Sequence, residues 1–203
     1  MLRNSILSEK TVDRDPFLQF KTWYNAHLNS GIEIPEAVTL ATASAGGMVS
    51  ARTVLLKDFT AEGFVFFTNY NSTKGLQLSS NSGAAMLFYW TESRRQVRIE
   101  GLTEKVSEED SEAYFRTRPR ESQLSAWASL QSTTIPDRQY LVAMYNLYKN
   151  KYSGQPVERP PFWGGMRLIP ARFEFWQEGE FRLHDRITYS KRKDIWVIER
   201  LAP

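Results

Sequence analysis

The chain has no cysteine among its 203 residues and only two histidines, His27 and His184. That excludes disulfides, thiolate metal ligands and a cysteine nucleophile. The two histidines stand far apart and never at the H-x-x-x-H spacing of a helical zinc site, so no metal centre is expected. No apolar run is long enough to span a bilayer, and Met1-Leu2-Arg3-Asn4-Ser5 lacks the apolar stretch of a signal peptide. A cytoplasmic protein without membrane attachment is the expectation. A long basic tract is also missing. Net charge is +3, and the cations fall in small groups such as Arg94-Arg95 and Arg116 to Arg120. Such clusters suit phosphorylated small molecules at least as well as nucleic acid. An enzyme this poor in histidine and cysteine needs an organic cofactor for demanding chemistry.

What is there is a well-supplied core. Hydrophobic residues make up 41% and aromatics 13%, enough for one domain over residues 1–203, with residues 1–14 expected as a flexible N-terminal segment. Asp15-Pro16 followed by Phe17, Phe20, Tyr24 and Leu28 predicts an amphipathic helix that ends at Gly31. Period-two alternation then predicts a hairpin, residues 37–43 and 48–57 about an Ala45-Gly46-Gly47 turn. Further strands are expected at 64–69, 84–90 and 96–106. Helices are predicted at 72–80, after a Ser107/Asp110 capping box, from Arg120 beyond the break at Pro119, and at 136–152. Strands at 165–175, 181–189 and 195–200 close the chain. Strands dominate with helices inserted, which reads as an α+β, mainly antiparallel, barrel-like fold.

Several constellations can carry chemistry. In Phe181 to Arg186, an extended chain places Arg182, His184 and Arg186 on one face. Three such groups repel one another unless something anionic or electron-rich lies before them. A solvated strand face, with Asp185 tied to an arginine, is the ordinary alternative. Arg52 and Lys57 are an odd number of residues apart, so a regular strand sends them to opposite faces and toward two separate anions. Each also reads as a side chain snorkelling from a strand end. Lys74 falls in the first turn of a helix capped by Ser72, where a cation is unfavourable unless a phosphate docks on the free N–H groups. Tyr114, Arg118 and Ser122 gather a phenol, a guanidinium and a hydroxyl around the break at Pro119, a good second phosphate cradle. An RNA-binding surface is the rival, without an aromatic platform to support it. Gln96 and the Gln131-Ser132 pair mean little alone.

Taken together, Arg52 to Lys57, Phe67-Thr68-Asn69, Ser72-Thr73-Lys74, Arg95 to Arg98, Arg118 to Gln123, Phe162-Trp163-Gly164-Gly165, Trp176 to Arg186 and the closing Glu199-Arg200-Leu201-Ala202-Pro203 resemble the pyridoxine (pyridoxamine) 5′-phosphate oxidase family. The resemblance runs in order from about Asp15 to the last residue. It implies an FMN-binding split β-barrel with flanking helices, working as a homodimer with FMN at the subunit interface. It implies oxidation of pyridoxamine or pyridoxine 5′-phosphate to pyridoxal 5′-phosphate, with O2 reduced to H2O2. By matching position, Arg52 and Lys74 would hold the FMN phosphate with Thr68, Gln131 and Ser132. The backbone of Thr53, Val54, Leu55 and Leu56, with Gln96, Trp176 and Arg186, would line the flavin. Lys57, Phe67 and Thr73 fall in cofactor-contacting motifs. Lys57, Tyr114, Arg118 and Ser122 would grip the substrate phosphate, and Arg182 and His184 would lie over the pyridine ring as the catalytic pair. A non-catalytic flavin or pyridoxal-phosphate carrier or sensor on the same barrel is the alternative. Three positions depart from the pattern. Thr73 replaces a second basic residue, Arg116 replaces a common histidine, and Ile6 replaces the tyrosine of an Arg-x-x-Tyr flap beginning at Arg3.

Overall fold

The computed structural model describes residues 6–203. Its first helix, α1 (Pro16–Leu28), starts where Asp15 accepts the Phe17 N–H at 2.8 Å, with Pro16 supplying a fixed φ in the first turn. Strands β1 (Ala37–Ala43), β2 (Val49–Leu55), β3 (Asp58–Thr60) and β4 (Gly63–Asn69) follow. Next come α2 (Thr73–Ser80), β5 (Gly83–Trp90) and β6 (Arg95–Lys105). A helical insertion, α3 (Glu108–Thr117), α4 (Arg120–Ala128) and α5 (Arg138–Lys151), precedes β7 (Trp163–Gln177), β8 (Asp185–Arg192) and β9 (Ile195–Arg200). The strands pair antiparallel in one sheet ordered β2-β1-β5-β6-β7-β4-β3, with β8 also on β7 and β9 on β8.

β7 is the spine. It pairs with β6 along its length, with β4 over Trp163 to Leu168, and with β8 over Arg172 to Gln177. The register slips at Glu100/Gly101, where a Cβ on Gly101 would stand 2.0 Å from the Ile169 carbonyl oxygen. A bulge of this kind bends the strand and sharpens its twist, which curls the sheet into a split barrel. Phe20 of α1 is wholly buried inside it, with ring centroids 5.0, 4.9 and 5.1 Å from Phe59, Phe64 and Phe88. A second cluster of Phe115, Leu124, Tyr152 and Trp163 fastens the helical insertion to the start of β7. His27 belongs to the barrel, stacked on Trp90 at 5.1 Å.

The expected strand over 181–189 begins only at Asp185. Residues Glu180–Arg182 form a 3-10 turn, with Phe181 and Arg182 at φ of 55° and 63°. Backbone in the left-handed region cannot continue a strand, so Arg182 and His184 do not share a strand face with Arg186. β3 is missing from the sequence expectation because three residues are too few for an alternation to register. α5 begins at Arg138, after Pro136, because Asp137 caps it by accepting the Tyr140 N–H at 2.8 Å. Within the segment expected to be flexible, Leu7 and Val12 are buried, and Arg200 donates to the Leu7 carbonyl at 2.9 Å. The arginine of the flap motif, Arg3, lies outside the described residues. Ile6, its partner in that motif, is exposed.

Candidate active site

One cavity of about 620 Å3 is walled by the end of β2, by β4, and by α3 and α4. It gathers Thr53, Val54, Leu55, Lys57, Phe67, Thr68, Lys74, Tyr114, Arg118, Ser122 and Gln131 from the sequence-predicted set. Leu56 is turned away, its side chain in the core and its N–H bonded to the Glu36 carbonyl at 2.9 Å.

At one end stands Lys74. Ser72 caps α2 by accepting the Gly75 N–H, and this places Lys74 in the first turn, where the helix N-terminus already carries positive potential. Its Nζ meets three neutral oxygens, Gln131 Oε1 at 2.8 Å, Thr68 Oγ1 at 3.1 Å and Ser72 Oγ at 3.3 Å. Burial first, and repulsion from Arg52 second, push its pKa down to about 8. Arg52 is also tied to neutral oxygens: Thr42 Oγ1 at 2.6 Å, Leu40 O at 3.1 Å and Ser50 Oγ at 2.5 Å. Burial lowers its pKa too. Two desolvated cations side by side are unfavourable alone, and a doubly charged anion relieves both. Thr73 and Ser132 are exposed, and neither lines the cavity.

The other end is built around the helix break. The Arg118 guanidinium lies 4.5 Å over the Trp163 ring and 5.6 Å from that of Phe115. Its Nη1 is buried without a hydrogen-bond partner, and burial lowers its pKa. Phe67 and Tyr114 stack at 3.8 Å behind it. Lys57 reaches this region from beyond the end of β2 and stands 3.5 Å from Glu36. Because β2 stops at Leu55, strand parity does not govern Lys57. Lys74 from one predicted anion site and Lys57, Tyr114, Arg118 and Ser122 from the other line one cavity, which Arg52 does not reach. Trp163, Ser125 and Ser129 also line it. Sequence reasoning missed both serines; Ser125 follows Ser122 by three positions on α4, a spacing that could have found it, whereas Ser129 lies just past the helix end. Gln77 was not legible; its Oε1 accepts from Ser50 and Thr42 and so braces the frame around Arg52.

The remaining predicted residues sit elsewhere. Gln96, Trp176 and Arg186 form a cross-strand row over β6, β7 and β8. Arg186 Nε bonds Glu174 Oε1 at 2.8 Å, which raises the arginine pKa, and its Nη1 bonds the Ala202 carbonyl at 2.8 Å. Beside this row the 3-10 turn presents Arg182, exposed, and His184, whose ring lies 4.8 Å from that of Trp176. The Gly179 N–H donates to His184 Nδ1 at 3.2 Å, so the neutral ring carries its proton on Nε2. Position 179 must be glycine, since a Cβ would come within 2.0 Å of the Leu183 carbonyl oxygen. Cavity and row lie toward opposite ends of β7, at Trp163 and at Trp176.

No group of three His, Cys, Asp or Glu placed to hold a metal occurs among the described residues, and no helix there is long and apolar enough to cross a membrane. Comparisons with known proteins agree with this architecture. The family profile "Pyridoxamine 5′-phosphate oxidase" matches residues 25–150, and "Pyridoxine 5′-phosphate oxidase C-terminal dimerisation region" matches residues 163–203. The pyridoxine/pyridoxamine 5′-phosphate oxidase of Nostoc punctiforme is 51% identical over 97% of this chain and 92% of its own length. That of Rubrobacter xylanophilus is 49% identical over 97% and 91%. Among solved structures, PhzG of Burkholderia lata, in complex with tetrahydrophenazine-1-carboxylic acid, superposes with a TM-score of 0.91 at 28% identity, covering 98% of both chains. By family profile and by identity over nearly its whole length, the chain belongs to the pyridoxine/pyridoxamine 5′-phosphate oxidase family of oxidoreductases.

Proposed function

We propose that this protein oxidises pyridoxamine 5′-phosphate or pyridoxine 5′-phosphate to pyridoxal 5′-phosphate, with FMN as cofactor and O2 as electron acceptor. One observation carries the reading: a single cavity lined by Lys74 and by Arg118, neither of which is paired with a carboxylate among the described residues. Lys57 on its wall stands 3.5 Å from Glu36, and Arg52 braces Lys74's side from outside the lining. Lys74 and Arg52, held by neutral oxygens, fit the phosphate of FMN. Arg118, with its buried and unpartnered Nη1, and Lys57, Tyr114 and Ser122 beside it fit the phosphate of the substrate. The ligand bound by PhzG carries a carboxylate; a second phosphate socket favours a phosphorylated vitamer here.

The chemistry FMN supplies when bound is acceptance of a hydride from the substrate C4′ and reoxidation by O2 to H2O2. The protein's part is alignment. The remote phosphate grip supplies binding energy that holds the pyridine ring in place. Arg182 supplies a fixed positive charge toward the ring substituents, and His184 a donor at Nε2 whose tautomer is set by Gly179. Since the cavity draws on the start of β7 and the row on its end, we propose a homodimer in which a second copy brings its row to this cavity. The match of residues 163–203 to a dimerisation region supports that arrangement. Purified protein reconstituted with FMN should release one peroxide per pyridoxal 5′-phosphate formed from pyridoxamine 5′-phosphate. A yellow protein that binds the vitamer without releasing peroxide is a carrier or sensor, and the oxidase reading is then wrong.

A further inference from the structure

We propose that Glu174 is the positioning residue for the flavin-facing row, fixing Arg186 through one carboxylate oxygen and Arg98 through the other; this rests on the reading that the row meets FMN. Glu174 is 3% exposed in a strand whose neighbours Phe173 and Phe175 point into the core. It faces the opposite side, in register with Arg98 on β6 and Thr188 on β8, one step along from the Gln96-Trp176-Arg186 row. Oε2 accepts from Arg98 Nη2 at 2.6 Å and Oε1 from Arg186 Nε at 2.8 Å. Arg98 is shared in turn with Glu100 at 2.9 Å. Nothing in the chemistry proposed above uses this carboxylate, yet burying an ionised group is costly unless its partners are fixed. Both are fixed here, and Arg186 passes the constraint on. Its Nη1 bonds the Ala202 carbonyl and its own carbonyl accepts the Leu201 N–H at 2.9 Å, so the last residues are tied down beside the row.

The test titrates FMN into apoprotein and follows quenching of flavin fluorescence. Arg186→Ala and Glu174→Ala should each raise the FMN Kd roughly 10- to 100-fold, and the double variant should bind no more weakly than Arg186→Ala alone. Glu174→Gln keeps the side-chain volume but offers one oxygen to two guanidinium groups. It must weaken binding in the same direction while its apoprotein melts cooperatively, which covers the case in which Glu174→Ala does not fold. If Arg186→Ala weakens FMN and both Glu174 variants bind it as the wild type does, the positioning role is wrong and the flavin-facing row stands. Additive losses in the double variant also overturn it, because Glu174 would then act through something other than Arg186. If Arg186→Ala binds FMN normally, the reading of the row itself has failed.

Discussion

Replacing Lys74 with alanine is the sharpest perturbation of the proposed cofactor socket. Its ammonium meets only neutral oxygens, so no carboxylate competes with an incoming phosphate. A hydrogen bond to a charged group is worth about 1.5–3 kcal/mol, which predicts a rise in the FMN Kd of about 10- to 150-fold. The depressed pKa adds a signature that simple truncation lacks. With a pKa of about 8, roughly nine in ten Lys74 side chains are charged at pH 7 and about one in ten at pH 9. Wild-type apoprotein should therefore lose FMN affinity as pH rises through 8, by about tenfold at pH 9, because binding must then take up a proton. In the unfolded chain the same group titrates near 10.5. Between about 8 and 10.5 the folded apoprotein holds fewer protons than the unfolded chain, so this group makes apoprotein stability rise with pH while affinity falls. Fluorescence titrations from pH 6.5 to 9.5 should show a sloping wild-type profile and a flat one for Lys74→Ala. A variant Kd within about threefold of wild type at pH 7, or two parallel profiles, would refute the reasoning.

Arg182→Ala should lower kcat at least a hundredfold, the scale of losing a fixed charge at the reacting centre, with FMN titration unchanged; loss of flavin would place Arg182 on the cofactor side. Arg118→Ala should raise KM for pyridoxamine 5′-phosphate about 10- to 100-fold and leave the FMN Kd alone. The opposite pattern would merge the two sockets. Gly179→Ala puts a Cβ against the Leu183 carbonyl oxygen and should cost more than tenfold in turnover and several degrees of melting temperature while unfolding stays cooperative, since local strain of this kind is worth about 1–3 kcal/mol. A fully active variant would show that the His184 tautomer is not set by that turn.

How much of this was legible in the sequence follows from the range over which each signal acts. Local signals survived. Ser72, Ser107 and Pro119 fixed helix boundaries because caps and prolines act within one turn, and alternation found the long strands. The Phe181 to Arg186 run misled because nothing local betrays two consecutive residues at positive φ; the carbonyl of Leu183 crowding Gly179 is a contact made only once the turn has closed. Arg52 and Lys57 were sent to different anions by a parity argument that fails once β2 ends at Leu55; what separates them here is that Lys57 lines the cavity and Arg52 does not. Glu174 and Gln77 escaped for a common reason. Each is an ordinary polar residue in its own segment and becomes a hub only through partners 12 to 76 residues away.

The proposed division of labour between two copies makes one further prediction. Arg118 lines the cavity and Arg182 stands in the 3-10 turn beside the row, toward opposite ends of β7. Suppose each catalytic site takes its cavity from one chain and its row from the other. A dimer of one Arg118→Ala chain and one Arg182→Ala chain then holds one site carrying both lesions and one carrying neither. Co-expressing the variants with different tags and purifying on both tags in turn isolates that mixed dimer. At substrate levels where each parent variant is nearly silent, it should show about half the wild-type rate, because one of two independent sites is whole. If cavity and row instead served one site within a chain, every site of the mixed dimer would carry a lesion and the activity would stay at the level of the parents. Recovery therefore depends only on which chain supplies each half, because loss of stability in either variant cannot create an intact site.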